Sequence, residues 1–274
     1  MKDSQPMMIA VAPNGARKQK SDHPALPITA MELANTAEAC HKVGACMIHL
    51  HVRDKQGGHL LDAEAYRVAT AAVRAATGPE MIIQVTTEAV GMYSMDKQIS
   101  VVKTLKPEAV SLAVREFCGC GEQLQTAAEF FAWLVKERVC PQYIIHSLED
   151  AIKFKDLRSR AVIPGDSVAV LFVLGRYAAS NALPDAQLAT MLDCAGNNIV
   201  WSVCAFGASE AAQMLEVAAL GGHARVGFEN NMQLINGETA RDNADLVTQV
   251  AARVEGLGRS VAAGATARAL WGMA

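Results

Sequence analysis

Two short stretches hold the side chains suited to metal and acid–base chemistry. The first is His49-Leu50-His51-Val52-Arg53-Asp54, the second Arg225-Val226-Gly227-Phe228-Glu229-Asn230-Asn231. Each continues a short apolar run, so its polar groups fall at the end of a predicted strand. Residues two apart on a strand point to the same side. His49, His51 and Arg53 therefore share one face, as do Arg225, Gly227 and Glu229. Two imidazoles about 7 Å apart along a strand can converge on one Zn2+, each reaching it at about 2.0–2.1 Å through a ring nitrogen. A carboxylate as third ligand leaves a position open to substrate, as catalytic zinc sites do. The expectation is one zinc ion on His49, His51 and Glu229, with Arg225 either orienting Glu229 or holding a substrate carboxylate. The competing readings are core histidines bonded to carbonyls and a buried Arg–Glu structural pair.

Such a site needs a scaffold that gathers the ends of distant strands. Strands are predicted at 7–12, 46–52, 81–86, 109–114, 143–146, 168–174, 199–205 and 224–228, β-branched or uniformly apolar as doubly covered parallel strands are. Amphipathic stretches lie between them, at 30–43, 62–76, 121–139, 185–194 and 209–219. Thr29, Asp62 and Ser209 are placed to cap three of these helices, and Gly44, Gly78-Pro79 and Gly221-Gly222 to end helices. Eight strand–helix units in about 250 residues is the count of a (β/α)8 barrel. A doubly wound sheet would carry a Gly-rich turn after its first strand, and no such motif is present. One domain is read over 1–274, with 256–274 as a C-terminal extension that packs on the barrel or on a partner subunit.

In this architecture active sites form at the C-terminal strand ends, which adds candidates. Thr86 ends the third strand and can donate a hydrogen bond or simply cap the strand. Glu116 follows the fourth and lines the mouth; His146 ends the fifth. The loop after the first strand, Pro13 to Lys20, carries Asn14 and three cations. Asn14 and Arg17 are expected to bind substrate there, with an anionic group favoured.

Composition excludes other classes. The 274 residues are 51% hydrophobic and 19% charged, with a net charge of −3. The basic residues are scattered, so no nucleic-acid face is expected. No apolar run reaches the length of a membrane span, and the N-terminal run is too short for a signal peptide. Seven cysteines, an odd number mostly in apolar runs, read as reduced thiols of a cytoplasmic protein.

With APNGAR, HPALPIT, HLHVRD, IIQVTTEAVG and GGHARVGFENN, the chain resembles the β-keto acid cleavage enzymes over nearly its whole length. HLH and VGFE in combination are specific. The resemblance implies a (β/α)8 barrel, usually a tetramer, though a dimer is also open. It implies zinc on His49, His51 and Glu229, a catalytic Arg at Arg225, and a catalytic hydroxyl at Thr86. The implied reaction takes a β-keto acid and acetyl-CoA to acetoacetate and a new acyl-CoA. Three positions depart from the pattern. Asn230 stands where the family has a catalytic Asp, Arg17 where the type member has a Glu, and Glu116 where it has a Thr. Asn cannot take a proton as a carboxylate can, which leaves CoA thiolate, a metal-bound water or Glu116 as the base. A CoA-independent zinc hydrolase or aldolase-type lyase, or a catalytically weak metabolite-binding homologue, are the alternatives.

Overall fold

In a computed structural model, which describes residues 5–176 and 184–273, eight parallel strands close into a barrel. β1 (Ile9–Val11) leads to α1 (Ala30–Lys42), and β2 (Met47–Leu50) to a small antiparallel hairpin of β3 (Val52–Arg53) and β4 (His59–Leu60). Then come α2 (Ala63–Thr77), β5 (Ile82–Thr86), α3 (Met95–Leu105), β6 (Ala109–Ala113), a helical turn α4 (Val114–Phe117) and α5 (Glu122–Lys136). β7 (Cys140–Ile145), α6 (Leu148–Ser159), β8 (Val168–Leu174), α7 (Pro184–Ala195), β9 (Ile199–Ala205) and α8 (Glu210–Ala219) follow. β10 (His223–Val226), α9 (Asn243–Val254) and α10 (Gly264–Leu270) end the series. Around the barrel the order is β1-β10-β9-β8-β7-β6-β5-β2, so β1 separates β10 from β2. The (β/α)8 expectation holds.

The strands are buried on both sides, which is why β8 reads as an unbroken apolar run. Their outward side chains, such as Ile48, Leu50, Val85 and Leu112, join Leu33, Ala37 and Val73 of the surrounding helices in the main core. Met8, Met47, Ile82, Ala109 and Ala169 form a separate inner cluster, which Ala262, Ala267 and Trp271 of the C-terminal segment join. That segment thus packs on the barrel. Met47 faces inward, and so do His49 and His51.

Local signals mostly act as read. Thr29 and Glu32 form a reciprocal capping box, and Asp62 accepts from the Ala65 amide. Ser209 does not cap α8. Its backbone is already helical, and its hydroxyl accepts from the Gln213 side chain at 2.7 Å, while the Glu210 amide turns back to the Gly207 carbonyl. β7 starts at Cys140, earlier than predicted, because Pro141 sits near the strand start, before pairing with β8 begins at Gln142. β2 stops at Leu50, and β6 gives way at Val114 to the α4 turn that carries Glu116.

Candidate metal centre

His49 is the third residue of β2 and His51 follows that strand directly; both are buried. β1 lies between β2 and β10, with Val11 level with Ile48 on one side and Val226 on the other. Glu229, three residues past Val226, is thereby carried across to the histidines. The turn that does this depends on Gly227, at φ +133°. A Cβ there would lie 2.4 Å from the Ala12 carbonyl oxygen. The Glu229 amide bonds that same carbonyl at 3.1 Å. From the other side, Gly15 lets the β1 loop close on Glu229, since its Cβ would lie 2.6 Å from Glu229 Cγ. Gly227→Ala is expected to destabilise the fold by about 2 kcal/mol or more and to weaken metal retention. Denaturant unfolding and elemental analysis check this; a variant unchanged in both would contradict it.

The three donors meet. His49 Nε2 and His51 Nε2 are 3.2 Å apart, His51 Nε2 and Glu229 Oε2 3.2 Å, His49 Nε2 and Glu229 Oε2 3.8 Å. Ligands held about 2.0–2.1 Å from a tetrahedral ion lie about 3.3 Å from one another, so this triangle fits a zinc-class ion with little adjustment. Glu229 Oε2 is buried without a hydrogen-bond partner in the protein, as an atom reserved for a metal would be. Burial, then the neighbouring Arg225, push His49 down to about 3, keeping it a neutral imidazole. Burial alone would raise Glu229, but Arg225 and His51 hold its carboxyl well below the usual carboxylate range. Both are in the protonation state that ligation requires.

Further hydrogen bonds hold these three donors in place. Gln84, level with His49 on β5, accepts from His49 Nδ1 at 2.7 Å and donates to Gln142 at 3.0 Å. The proton on Nδ1 leaves the Nε2 lone pair facing the other ligands. Asn14 donates to the His51 carbonyl at 3.1 Å and to the Pro27 carbonyl at 2.9 Å. Arg225 Nη2 donates to Glu229 Oε1 at 3.0 Å and contacts Cys204 Sγ at 3.2 Å, the contact an orienting role would use, while the side chain also lines the cleft. Arg53 gives its guanidinium to backbone carbonyls of Asn14, Gly15, Lys18 and Gly57, pinning the β1 loop.

A cleft opens over this floor. His49, Arg225 and Glu229 line its base, with Thr86 and Ser111 beside them. Thr86 Oγ1 accepts from the Glu88 amide at 3.0 Å, the strand-capping reading, and an accepting hydroxyl keeps its own proton to donate. Glu88, Arg115, Glu116, His146 and Arg176 line the outer part. Glu116 accepts from Gln98 Nε2 at 2.7 Å, and burial pushes its carboxyl up. Burial, with Arg115 and Arg176 next, pushes His146 down to about 3. Among the described residues lining the cleft, Asn14, Arg17 and Asn230 are absent. Arg17 is exposed, whereas its neighbour Lys18 turns inward and donates to the Phe228 carbonyl at 2.5 Å. Asn230 is buried, and neither atom of its amide has a hydrogen-bond partner.

Sequence reading missed Gln84, Glu88 and Arg176. Gln84, a polar residue inside an apolar strand, was a signal in itself. Glu88 and Arg176 lie just beyond strand ends, where only the barrel's closure shows that they meet.

Barrel and donor triangle together define the class: a (β/α)8 protein with two histidines and a carboxylate, placed so that they could hold a metal ion, at the C-terminal strand ends. The profile of the β-keto acid cleavage enzyme family matches residues 6–273, and the chain belongs to that family. It is 29% identical over 265 residues to a 3-keto-5-aminohexanoate cleavage enzyme of Fusobacterium nucleatum, covering 93% of this chain and 94% of that one. It is also 29% identical to a 3-oxoadipate:acetyl-CoA acetyltransferase of Cupriavidus necator, covering 98% of this chain and 96% of that one. Among solved structures, the apo form of ObcA superposes with a TM-score of 0.74 at 17% identity, over 91% of this chain and 66% of that longer one.

Proposed function

We propose that this protein is a metal-dependent acyltransferase that converts a β-keto acid and acetyl-CoA to acetoacetate and a new acyl-CoA. The observation that carries the reading is the donor triangle on the cleft floor, with Arg225 bonded to one of its members. The curated relatives, named for β-keto acid cleavage and acetyl-CoA transfer, support it. When bound, a zinc-class ion on His49, His51 and Glu229 supplies Lewis acidity toward carbonyl and carboxylate oxygens. Arg225, buried at the cleft base, stabilises negative charge that develops on the substrate. Thr86 donates its hydroxyl proton to a substrate oxygen. Glu116, whose carboxyl burial pushes up, is the cleft carboxyl suited to exchange a proton with the substrate. His146 lines the substrate's path as a neutral ring. Asn14 acts through His51. The exposed Arg17 suits the phosphates of acetyl-CoA at the loop rim. The ion is zinc, and the protein is a cytoplasmic oligomer, a tetramer or dimer that light scattering would distinguish.

The decisive experiment incubates the metal-loaded protein with a panel of β-keto acids and acetyl-CoA, reading new acyl-CoA by mass. Turnover without acetyl-CoA would instead favour a hydrolase or aldolase-type lyase. Tight binding with no product from any thioester would favour a metabolite-binding protein.

Asn230 gives a sharper test. Asn230 is not among the described residues lining the cleft, and no cation is bonded to its side-chain amide. Asn230→Asp is therefore expected to change kcat/KM less than about tenfold. A gain of about a hundredfold, within the range a positioned base supplies, would show that the proton-transfer role still belongs to this position.

A further inference from the structure

The two curated relatives act on acids that differ at the end remote from the keto acid: an amine in one name, a second carboxylate in the other. The outer wall of the cleft is what would meet that end. This inference rests on the function proposed above and specifies its substrate.

Arg115 belongs to the frame of the wall. Its Nε and Nη2 both bond Asp150 Oδ2, at 3.1 and 2.8 Å, and Asp150 also accepts the His146 amide. Glu116 is held by Gln98 Nε2 and the Ala89 amide. Arg176, just beyond β8, reaches across to Glu88, just beyond β5, with Nη2 at 2.5 Å from Glu88 Oε1. Its guanidinium lies 5.4 Å over the Phe206 ring. Stacking uses the face of a guanidinium and hydrogen bonds its plane, so Arg176 can keep Phe206 while it binds a planar carboxylate. Glu88 has a second destination. Its Oε2 lies 3.9 Å from His51 Nδ1, and that nitrogen is buried without a hydrogen-bond partner. With His51 Nε2 turned to the metal position, Nδ1 carries the proton.

We propose that Arg176 reads a second carboxylate at the far end of the substrate, making β-keto dicarboxylic acids the substrate class. The incoming carboxylate takes Arg176 from Glu88, and Glu88 swings onto His51 Nδ1–H. That exchange leaves no charge without a partner and completes a carboxylate–histidine pair behind a metal ligand. An ammonium group finds no such exchange. It would enter among the guanidiniums of Arg115, Arg176 and Arg225, and the carboxylates of the wall are already held by protein donors.

The test compares 3-oxoadipate with 3-oxohexanoate, equal in chain length and different only in the far carboxylate. Binding to the metal-loaded protein is measured by calorimetry without acetyl-CoA, and kcat/KM with it. The wild type is expected to favour 3-oxoadipate at least about tenfold in both. Arg176→Gln should cut the preference by about tenfold to a hundredfold, the scale of a charge-assisted hydrogen bond. Glu88→Gln, which removes the competitor, should tighten 3-oxoadipate binding relative to 3-oxohexanoate. Equal binding of the two acids by the wild type, tighter binding of 5-amino-3-oxohexanoate, or an Arg176→Gln variant with the preference intact would each overturn the inference. Discrimination in calorimetry without turnover would sink the acyl-transfer reading and leave the substrate class standing. Turnover without discrimination would do the reverse.

Discussion

His49→Ala combined with His51→Ala should yield a folded barrel that retains no stoichiometric divalent ion and no measurable transferase activity. The two imidazoles supply two of the three donors in the triangle with Glu229, and a single carboxylate already paired with Arg225 is too few donors for a zinc-class ion. The loss of rate should be at least about 10⁴-fold, since Lewis acidity toward the substrate goes with the ion. The fold should survive because the strand-packing core lies on the opposite face of β2, around Ile48 and Leu50. A graded control is built into the hydrogen bonds that hold the donors. Gln84→Ala leaves all three ligands but releases the His49 ring, and should weaken metal affinity about 10- to 100-fold. Elemental analysis after dialysis at fixed free zinc reads both. Metal content unchanged in the double variant would remove the ligand assignment, and a Gln84 effect as large as the double variant's would make the site a fold element rather than a graded metal centre.

Arg225→Met should have two effects that separate structure from chemistry. Arg225 and Glu229 form an ion pair at 3.0 Å, with side chains 4% and 8% exposed. Breaking a buried pair from one side costs about 3–5 kcal/mol, because the remaining charge has no partner. That loss should be full in metal-free protein and smaller in the metal-loaded form, where the ion also faces Glu229. Denaturant unfolding with and without chelator measures the difference. The chemical effect should be a fall in kcat of about 10²- to 10³-fold, as for other preorganised donors at a developing anion. An equal stability loss in both forms would mean that the carboxylate does not ligate. A variant with normal kcat on a good substrate would take Arg225 out of the chemistry.

Much of this was legible in the chain because it depends on local rules. Period-two alternation put His49 and His51 on one side of β2 and its continuation; the same reading of Arg225 and Glu229 fails, because β10 ends at Val226 and the turn at Gly227, not strand alternation, brings Glu229 back to Arg225. Alternating strands and helices gave the barrel, and Thr29 and Asp62 gave helix starts through hydrogen bonds within a few residues. Reading failed where the partner was distant. Arg17 and Lys18 are adjacent and alike in charge, yet only Lys18 turns inward. Composition of the loop could not choose between them, because the choice is made by Phe228 on the far end of the chain.

The sequence by itself determined the donor types, the two-residue spacing of the histidines and the kind of barrel that would hold them, since these follow from backbone geometry and side-chain chemistry. Only the tertiary structure decided how they combine. Closure of the barrel sets β1 between β2 and β10, and this brings residues about 180 positions apart to the 3.2 Å contact between His51 and Glu229. The same closure forces glycine at 227, where the Ala12 backbone fills the space of a side chain. It also brings Glu88 and Arg176 from opposite walls into one ion pair. Such contacts depend on strand order and register around a closed ring, and no window along the chain contains that information.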